Sequence, residues 1–255
     1  MQLVDTHTHL YLPEFDSDRE DVIASAVSKG VSKLLLPNID TRSAEPMMTV
    51  VKRHPGICYP MVGLHPTSVN EDYRSQLDEL EKLIPDHHFI AVGETGIDLY
   101  WRKTFINEQI ESFRHHVELS LELDLPLVIH SREAFNEIFS VLDEFRHEKL
   151  KGVFHAFTGD ITVAEKVISM GFRLGIGGIV TFKNSGLDKV ISAVGINHLV
   201  LETDSPYLAP VPYRGKRNES SYICIINRKL SEIFNMSVEE TAGIIYRNST
   251  DLFRL

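Results

Sequence analysis

The sequence predicts an α/β fold, a (β/α)8 TIM barrel, on three observations. Short apolar, β-branched runs alternate along the whole chain with segments of helical period, the pattern of parallel strands joined by helices. Eight such units fill 255 residues, close to the roughly 250 residues typical of this barrel. Histidines and carboxylates gather where the strand runs end, the edge at which such barrels carry their sites.

The first strand is expected at Leu3 to Thr6 and leads into His7-Thr8-His9. The second spans Val31 to Pro37, and the third Cys58 to Gly63, ending in Gly63-Leu64-His65-Pro66. The fourth is expected at Phe89 to Gly93, with Glu94-Thr95-Gly96 at its end. After it, Ile106, Ile110, Phe113, Val117 and Leu121 recur every three or four residues, one packed face of a helix. The fifth strand, Pro126 to His130, is followed by Ser131-Arg132, and the sixth, Gly152 to His155, by Ala156-Phe157-Thr158-Gly159. The seventh is Phe172 to Ile176, and the eighth, His198 to Glu202, runs into Thr203-Asp204-Ser205-Pro206. Ser220 to Leu255 reads as two closing helices, with Ser237 as N-cap and Glu240 three residues on, a capping-box spacing. No linker interrupts the series, so residues 1–255 are expected to form a single domain. The competing doubly wound sheet lacks a Gly-x-Gly-x-x-Gly turn or phosphate loop.

Composition narrows the function. A chain that is 43% hydrophobic can bury a large core and is not disordered. With 26 basic and 36 acidic residues the net charge is −10, opposite to a broad nucleic-acid footprint. A polyanionic substrate must then be held by local cations or bound metal. Cys58 and Cys224 are far apart in sequence, which excludes a zinc knuckle, a dithiol motif or a disulfide framework and favours a reducing cytoplasm. The N-terminus has no basic region followed by an apolar run, and no run of about eighteen apolar residues occurs, so neither secretion nor membrane insertion is expected. Nor is an obligate protein partner.

His7 and His9 have period two, so in extended chain both reach one cation. With Glu94, His130, His155 and Asp204 closing other strands they make six candidate metal ligands. Imidazole and carboxylate suit Zn, Mn, Fe or Ni, and the oxygen share admits Mg. Six ligands exceed one tetrahedral ion and favour two cations about 3.5–4 Å apart. Glu94, on a central strand, is expected to bridge a first ion on His7, His9 and Asp204 and a second on His130 and His155. Asp204 could take the proton of the attacking water; Asp-Ser-Pro as plain turn chemistry is the bland alternative. His65 is a substrate hydrogen-bond donor or a packed loop residue. Arg132 either clamps a phosphate or pairs with a carboxylate, and Tyr207 either stacks on a base or pads the mouth. Arg214 and Lys216, in Arg214-Gly215-Lys216-Arg217, form either the positive rim or a solvated loop. His54, His87, His88, His115, His116 and His147 are expected at the surface, and Cys58 in the core.

Taken together, Asp5-Thr6-His7-Thr8-His9-Leu10, Gly63-Leu64-His65-Pro66, Gly93-Glu94-Thr95-Gly96-Ile97-Asp98, His130-Ser131-Arg132, His155-Ala156-Phe157-Thr158-Gly159 and Glu202-Thr203-Asp204-Ser205-Pro206-Tyr207-Leu208 resemble, in order, the signatures of the TatD family of metal-dependent hydrolases. The resemblance covers about residues 4 to 253. It implies a TIM barrel of the amidohydrolase superfamily with two divalent ions (Mg2+, Mn2+ or Zn2+) and 3′ to 5′ exonuclease activity on single-stranded DNA. The family ligand pattern falls on His7, His9, Glu94, His130, His155 and Asp204. Ala156 stands where the family usually has cysteine, and Ser220 where a proline often follows the basic loop. Related barrels act on esters, lactones or aminoacyl bonds, which is the alternative substrate class. A non-catalytic metal-binding barrel is the alternative from outside enzymes, and it predicts decay of a ligand set that this chain keeps complete.

Overall fold

The computed structural model describes residues 1–101, 103–146 and 148–255, so the surface placement expected for His147 lies outside the described residues. Among the described residues eight strands follow in order: β1 (Leu3–Asp5), β2 (Val31–Leu36), β3 (Cys58–Pro60), β4 (Val92–Asp98), β5 (Leu127–Arg132), β6 (Gly152–Phe154), β7 (Phe172–Ile176) and β8 (Leu199–Leu201). Helices α1 (Arg19–Ser28), α2 (Thr41–Arg53), α3 (Tyr73–Glu81), α4 (Ile106–Leu123), α5 (Phe135–Glu144), α6 (Ile161–Ser169) and α7 (Leu187–Val194) connect them. Then α8 (Ile223–Phe234) and α9 (Val238–Phe253) close the wall, and Ser237 Oγ accepts from the Glu240 N–H at 3.1 Å, as its capping spacing predicted.

β1 to β3 form one parallel sheet and β4 to β8 a second, both in chain order. Both seams are bridged, Val62 to Val92 and Thr8 to Ser205, and the Thr6 N–H donates to the Leu201 carbonyl at 3.0 Å. The strands therefore succeed one another round the TIM barrel in sequence order. Among the described residues no helix is long and apolar enough to cross a membrane.

Strand alternation carries the site. Val4, Leu35, Met61, Ala91, Val128, Val153 and Val200 pack as one buried layer, with Leu252 and Phe253 of α9 against it. Each fully buried valine or leucine there contributes about 1.5–3 kcal/mol. Because side chains repeat every second residue, His130, His155 and Glu202 follow Val128, Val153 and Val200 on the same face. The apolar layer thus serves as the floor of the polar one.

Two expectations are corrected. The fourth strand, expected at Phe89 to Gly93, is Val92–Asp98, so Glu94 lies within the strand rather than at its end. Pairing with β5 from Val92↔Leu127 to Asp98↔Arg132 draws this polar stretch into the sheet and carries β5 past His130 to Arg132. Gly96 permits it: its φ is 135°, and a Cβ there would run into the His130 carbonyl oxygen.

The second correction concerns His116, expected at the surface but only 2% exposed. It shares a buried stripe of α4 with Gln109, Ser112 and Ser120. Its Nε2 accepts from the Leu64 N–H at 3.0 Å and its Nδ1–H donates to the Ser112 carbonyl at 2.6 Å, so the ring is neutral and ties α4 to the loop that carries His65. Burial pushes its pKa down to about 4. The unfolded chain therefore takes up the proton first, so this stabilisation is complete above about pH 6.5 and is lost as pH falls toward 4. The interval corresponds to roughly 3 kcal/mol. Urea midpoints are expected to drop between pH 7 and pH 4.5, and the drop to flatten in His116→Gln; the same slope in both proteins would count against this role. Of the other histidines assigned to the surface, His87 and His88 are exposed, His115 pairs with Glu81, and His54 is half-buried beside Glu20. Cys58 is buried, as expected.

Candidate metal centre

A cavity of about 470 Å³ opens at the strand ends, lined by His9, His65, Glu94, His130, His155 and Asp204, with His7 fully buried beside them. Glu94 organises this cluster because its two oxygens face different partners. Oε2 lies 3.1 Å from His7 Nε2 and 3.7 Å from His9 Nε2. Oε1 lies 2.9 Å from His130 Nδ1, 3.2 Å from His65 Nε2 and 3.7 Å from His155 Nε2. Asp204 Oδ1 is 3.5 Å from His9 Nε2 and 3.8 Å from both His7 Nε2 and His155 Nε2.

Donor atoms within 4.8 Å of one another form three overlapping groups: His7, His9 and Glu94; His7, His155 and Asp204; His65, Glu94 and His130. These groups overlap, and they do not by themselves divide the residues between two ions. His65 lies with Glu94 and His130, while His155 stacks on His7 with ring centroids 3.5 Å apart, groups with Asp204 and also reaches Glu94 Oε1 at 3.7 Å. Five of the six candidate ligands line one cavity, and His7 lies buried directly behind them.

Hydrogen bonds outside the cluster set the tautomers. Tyr11 gives its one proton to the Pro37 carbonyl at 2.6 Å, so at 2.9 Å it accepts from His9 Nδ1–H. Neutral His9 then presents a bare Nε2 lone pair, 3.2 Å from His7 Nε2 and facing Glu94 and Asp204. That lone pair and the carboxylate oxygens around it suit a cation, with donors at about 2.0–2.2 Å. His65 is the opposite case. Its Nδ1 accepts from the Thr67 N–H at 3.1 Å, so the neutral ring carries its proton on Nε2, toward Glu94. A protonated nitrogen donates and does not ligate, so neutral His65 is separated chemically from neutral His9.

The electrostatics agree. Burial alone would raise the Glu94 pKa, but His65, His7 and His155 together with the His130 hydrogen bond outweigh it and hold the carboxyl well below its ordinary range. Asp204 is lowered in the same way, burial being overcome chiefly by His155 and the His9 bond. At His155 burial opposes the charged form, yet Glu202, Glu94 and Asp204 hold its pKa up at about 10. The site has an excess of negative charge that protons or metal cations must balance.

Supporting residues escaped the sequence reading. Asp98 Oδ2 lies 3.0 Å from His130 Nε2 and orients that ring. Glu202 Oε1 lies 3.1 Å from His155 Nδ1, and only a glycine at 175 leaves room for it, since a Cβ there would strike its carboxylate. Asp98, Glu202 and Tyr11 each lie an even number of residues from a candidate ligand, Glu94, Asp204 and His9 respectively, a period-two signal present in the sequence.

Arg132 lines the cavity, stacks 4.7 Å over the Tyr100 ring and makes no ion pair among the described residues. Tyr207 also lines it, its ring 6.1 Å from that of His9. Arg214 and Lys216 do not. They are exposed outside the cavity, with Arg214 over Phe182, because the Arg217 bonds to Asp18 and to the Glu14 carbonyl turn this loop toward the segment before α1.

A TIM barrel with imidazoles and carboxylates converging at its mouth defines the class of metal-dependent hydrolases. The model of the family described as TatD related DNase matches residues 4–254. The chain is 35% identical to the uncharacterized metal-dependent hydrolase YabD of Bacillus subtilis, across 99% of both chains. It is 29% identical to a Pantoea vagans protein named 3′-5′ ssDNA/RNA exonuclease TatD, over 99% of this chain and 100% of that one. The crystal structure of the Escherichia coli TatD homologue YJJV superposes with a TM-score of 0.92 at 25% identity, covering 99% of this chain and 98% of that one. The chain belongs to the TatD family and is a metal-dependent hydrolase.

Proposed function

We propose that the protein is a phosphodiesterase, a deoxyribonuclease that shortens single-stranded DNA from 3′ to 5′ and works with two divalent cations, Mg2+, Mn2+ or Zn2+. The observation that carries this is the division of Glu94, one oxygen toward His7 and His9 and the other toward His130. The Pantoea vagans relative's name supports the substrate class. His7, His9 and Asp204 would hold one cation, His130 and His155 the other, with Glu94 shared. Bound there, the cations supply Lewis acidity toward a phosphoryl oxygen and acidify water.

The chain's own groups do the rest. Asp204, its pKa held low, accepts the proton of the attacking water as oxygen bonds to phosphorus. The bond to the 3′ oxygen of the neighbouring nucleotide breaks, and that oxygen takes a proton from solvent. His65, neutral with Nε2–H directed into the cavity, donates a hydrogen bond to the phosphate. Arg132 offers a planar, doubly donating cation to the same group. Tyr207 contacts the nucleotide, and Arg214 and Lys216 meet strand lying beyond the cavity.

A 5′-labelled single-stranded oligodeoxynucleotide incubated with Mg2+ or Mn2+ is expected to give a ladder shortening from its 3′ end, abolished by chelator. An intact oligonucleotide beside a protein that still binds cations would discard the nuclease and direct attention to ester, lactone and aminoacyl substrates.

A further inference from the structure

Trp101 is 70% exposed, yet it lines the same cavity as the candidate ligands. An indole at the mouth of a polar site offers apolar area that the described residues leave largely in water. Its backbone is nonetheless held. Asp98 Oδ1 accepts from the Trp101 N–H at 2.7 Å and from the Tyr100 N–H at 3.0 Å, while Oδ2 of the same carboxylate lies 3.0 Å from His130 Nε2. One side chain thus both orients a candidate ligand and anchors the backbone that carries the indole. The Tyr100 ring meets the indole edge-on, with centroids 4.7 Å apart, and Arg132 lies 4.7 Å over Tyr100. The half-exposed Tyr207 also lines the cavity.

We propose that Trp101 is the stacking platform for a nucleobase at the single-stranded end undergoing hydrolysis, so that it sets specificity for an unpaired base next to the scissile phosphate. This rests on the nuclease reading above. An aromatic ring lining the same cavity as a guanidinium and a cluster of candidate ligands matches the build of a nucleotide, with a planar base on one side of the sugar and phosphate on the other. Stacking is indifferent to base identity because every base presents a π-face. A paired base has its faces covered by neighbours, and would have to unstack to reach Trp101.

The test compares wild type, Trp101→Ala and Trp101→Phe on two single-stranded oligothymidylates, one with thymines at the 3′ end and one with abasic 3′ nucleotides. Trp101→Ala is expected to lower kcat/KM on the thymine-ended strand by about 10-fold or more, to leave the abasic-ended strand unchanged, and Trp101→Phe to recover most of the loss. Trp101 is the one tryptophan of the chain, so its emission reports this site directly. The thymine-ended strand should quench it, in chelator as well as in metal, and the abasic-ended strand should not. Equal loss on both strands, or emission unmoved by thymine, overturns the proposal. If wild type cleaves neither strand the nuclease reading falls, and base-dependent quenching alone then decides whether Trp101 stacks on bases.

Discussion

Glu94→Gln is expected to abolish hydrolysis, by more than the about 10²–10³-fold that loss of one preorganised donor costs in other enzymes. The exchange keeps the side chain's shape and removes its charge, turning one oxygen into an amide donor. That donor would confront either His7 and His9 or His65, His130 and His155, according to how the amide turns. Turned toward His7 and His9 it would donate to the bare His9 nitrogen and occupy the lone pair meant for a cation; turned the other way it would meet a His65 nitrogen that already carries a proton. Cation binding should weaken with activity. The barrel should persist, since its buried floor from Val4 to Val200 lies below the exchange. Turnover, metal content and urea midpoint on one preparation check all three; full turnover in the variant would remove Glu94 from the mechanism.

The second large effect is expected at Asp204. Asn at this position loses the capacity to accept a proton, and positioned general bases contribute about 10²–10⁴-fold. The fold should tolerate it well. Asp204 has φ of 57°, in the left-handed region that asparagine adopts more readily than most residues, and its own N–H, unchanged by the substitution, donates to the His7 carbonyl at 2.9 Å. A fall in kcat with KM nearly constant would mark a group acting at the chemical step. A rise in KM alone would make Asp204 a binding residue and leave the base unassigned.

Much of this site was legible in the sequence because it is written in strand periodicity. His7, His9, His130, His155 and Asp204 stand beside apolar runs, and alternation brings them to one face without knowledge of any contact. What alternation does not encode is register. Whether Glu94 closes a strand or lies within one depends on how β4 slides along β5, and that in turn depends on Gly96 admitting the His130 carbonyl. Tautomers were likewise hidden. Tyr11 and Thr67 decide which nitrogen of His9 and His65 bears the proton, and so divide residues that the sequence presents as equals. His116 was misplaced because the buried face of α4 is wider than the stripe through Phe113 and Val117, wide enough to take in the neighbouring Ser112, His116 and Ser120. The cationic loop looked free because Arg217's partner Asp18 is 199 residues away in the chain.

The central claim is that the two oxygens of Glu94 serve two cations. Anomalous diffraction from crystals of the protein soaked in Mn2+ tests it most directly. Two peaks are predicted, one against Oε2 among His7, His9 and Asp204, the other against Oε1 beside His130 and His155, with the second site lost or weakened in Glu94→Gln. A single peak, or two peaks of which neither touches Glu94, would contradict it.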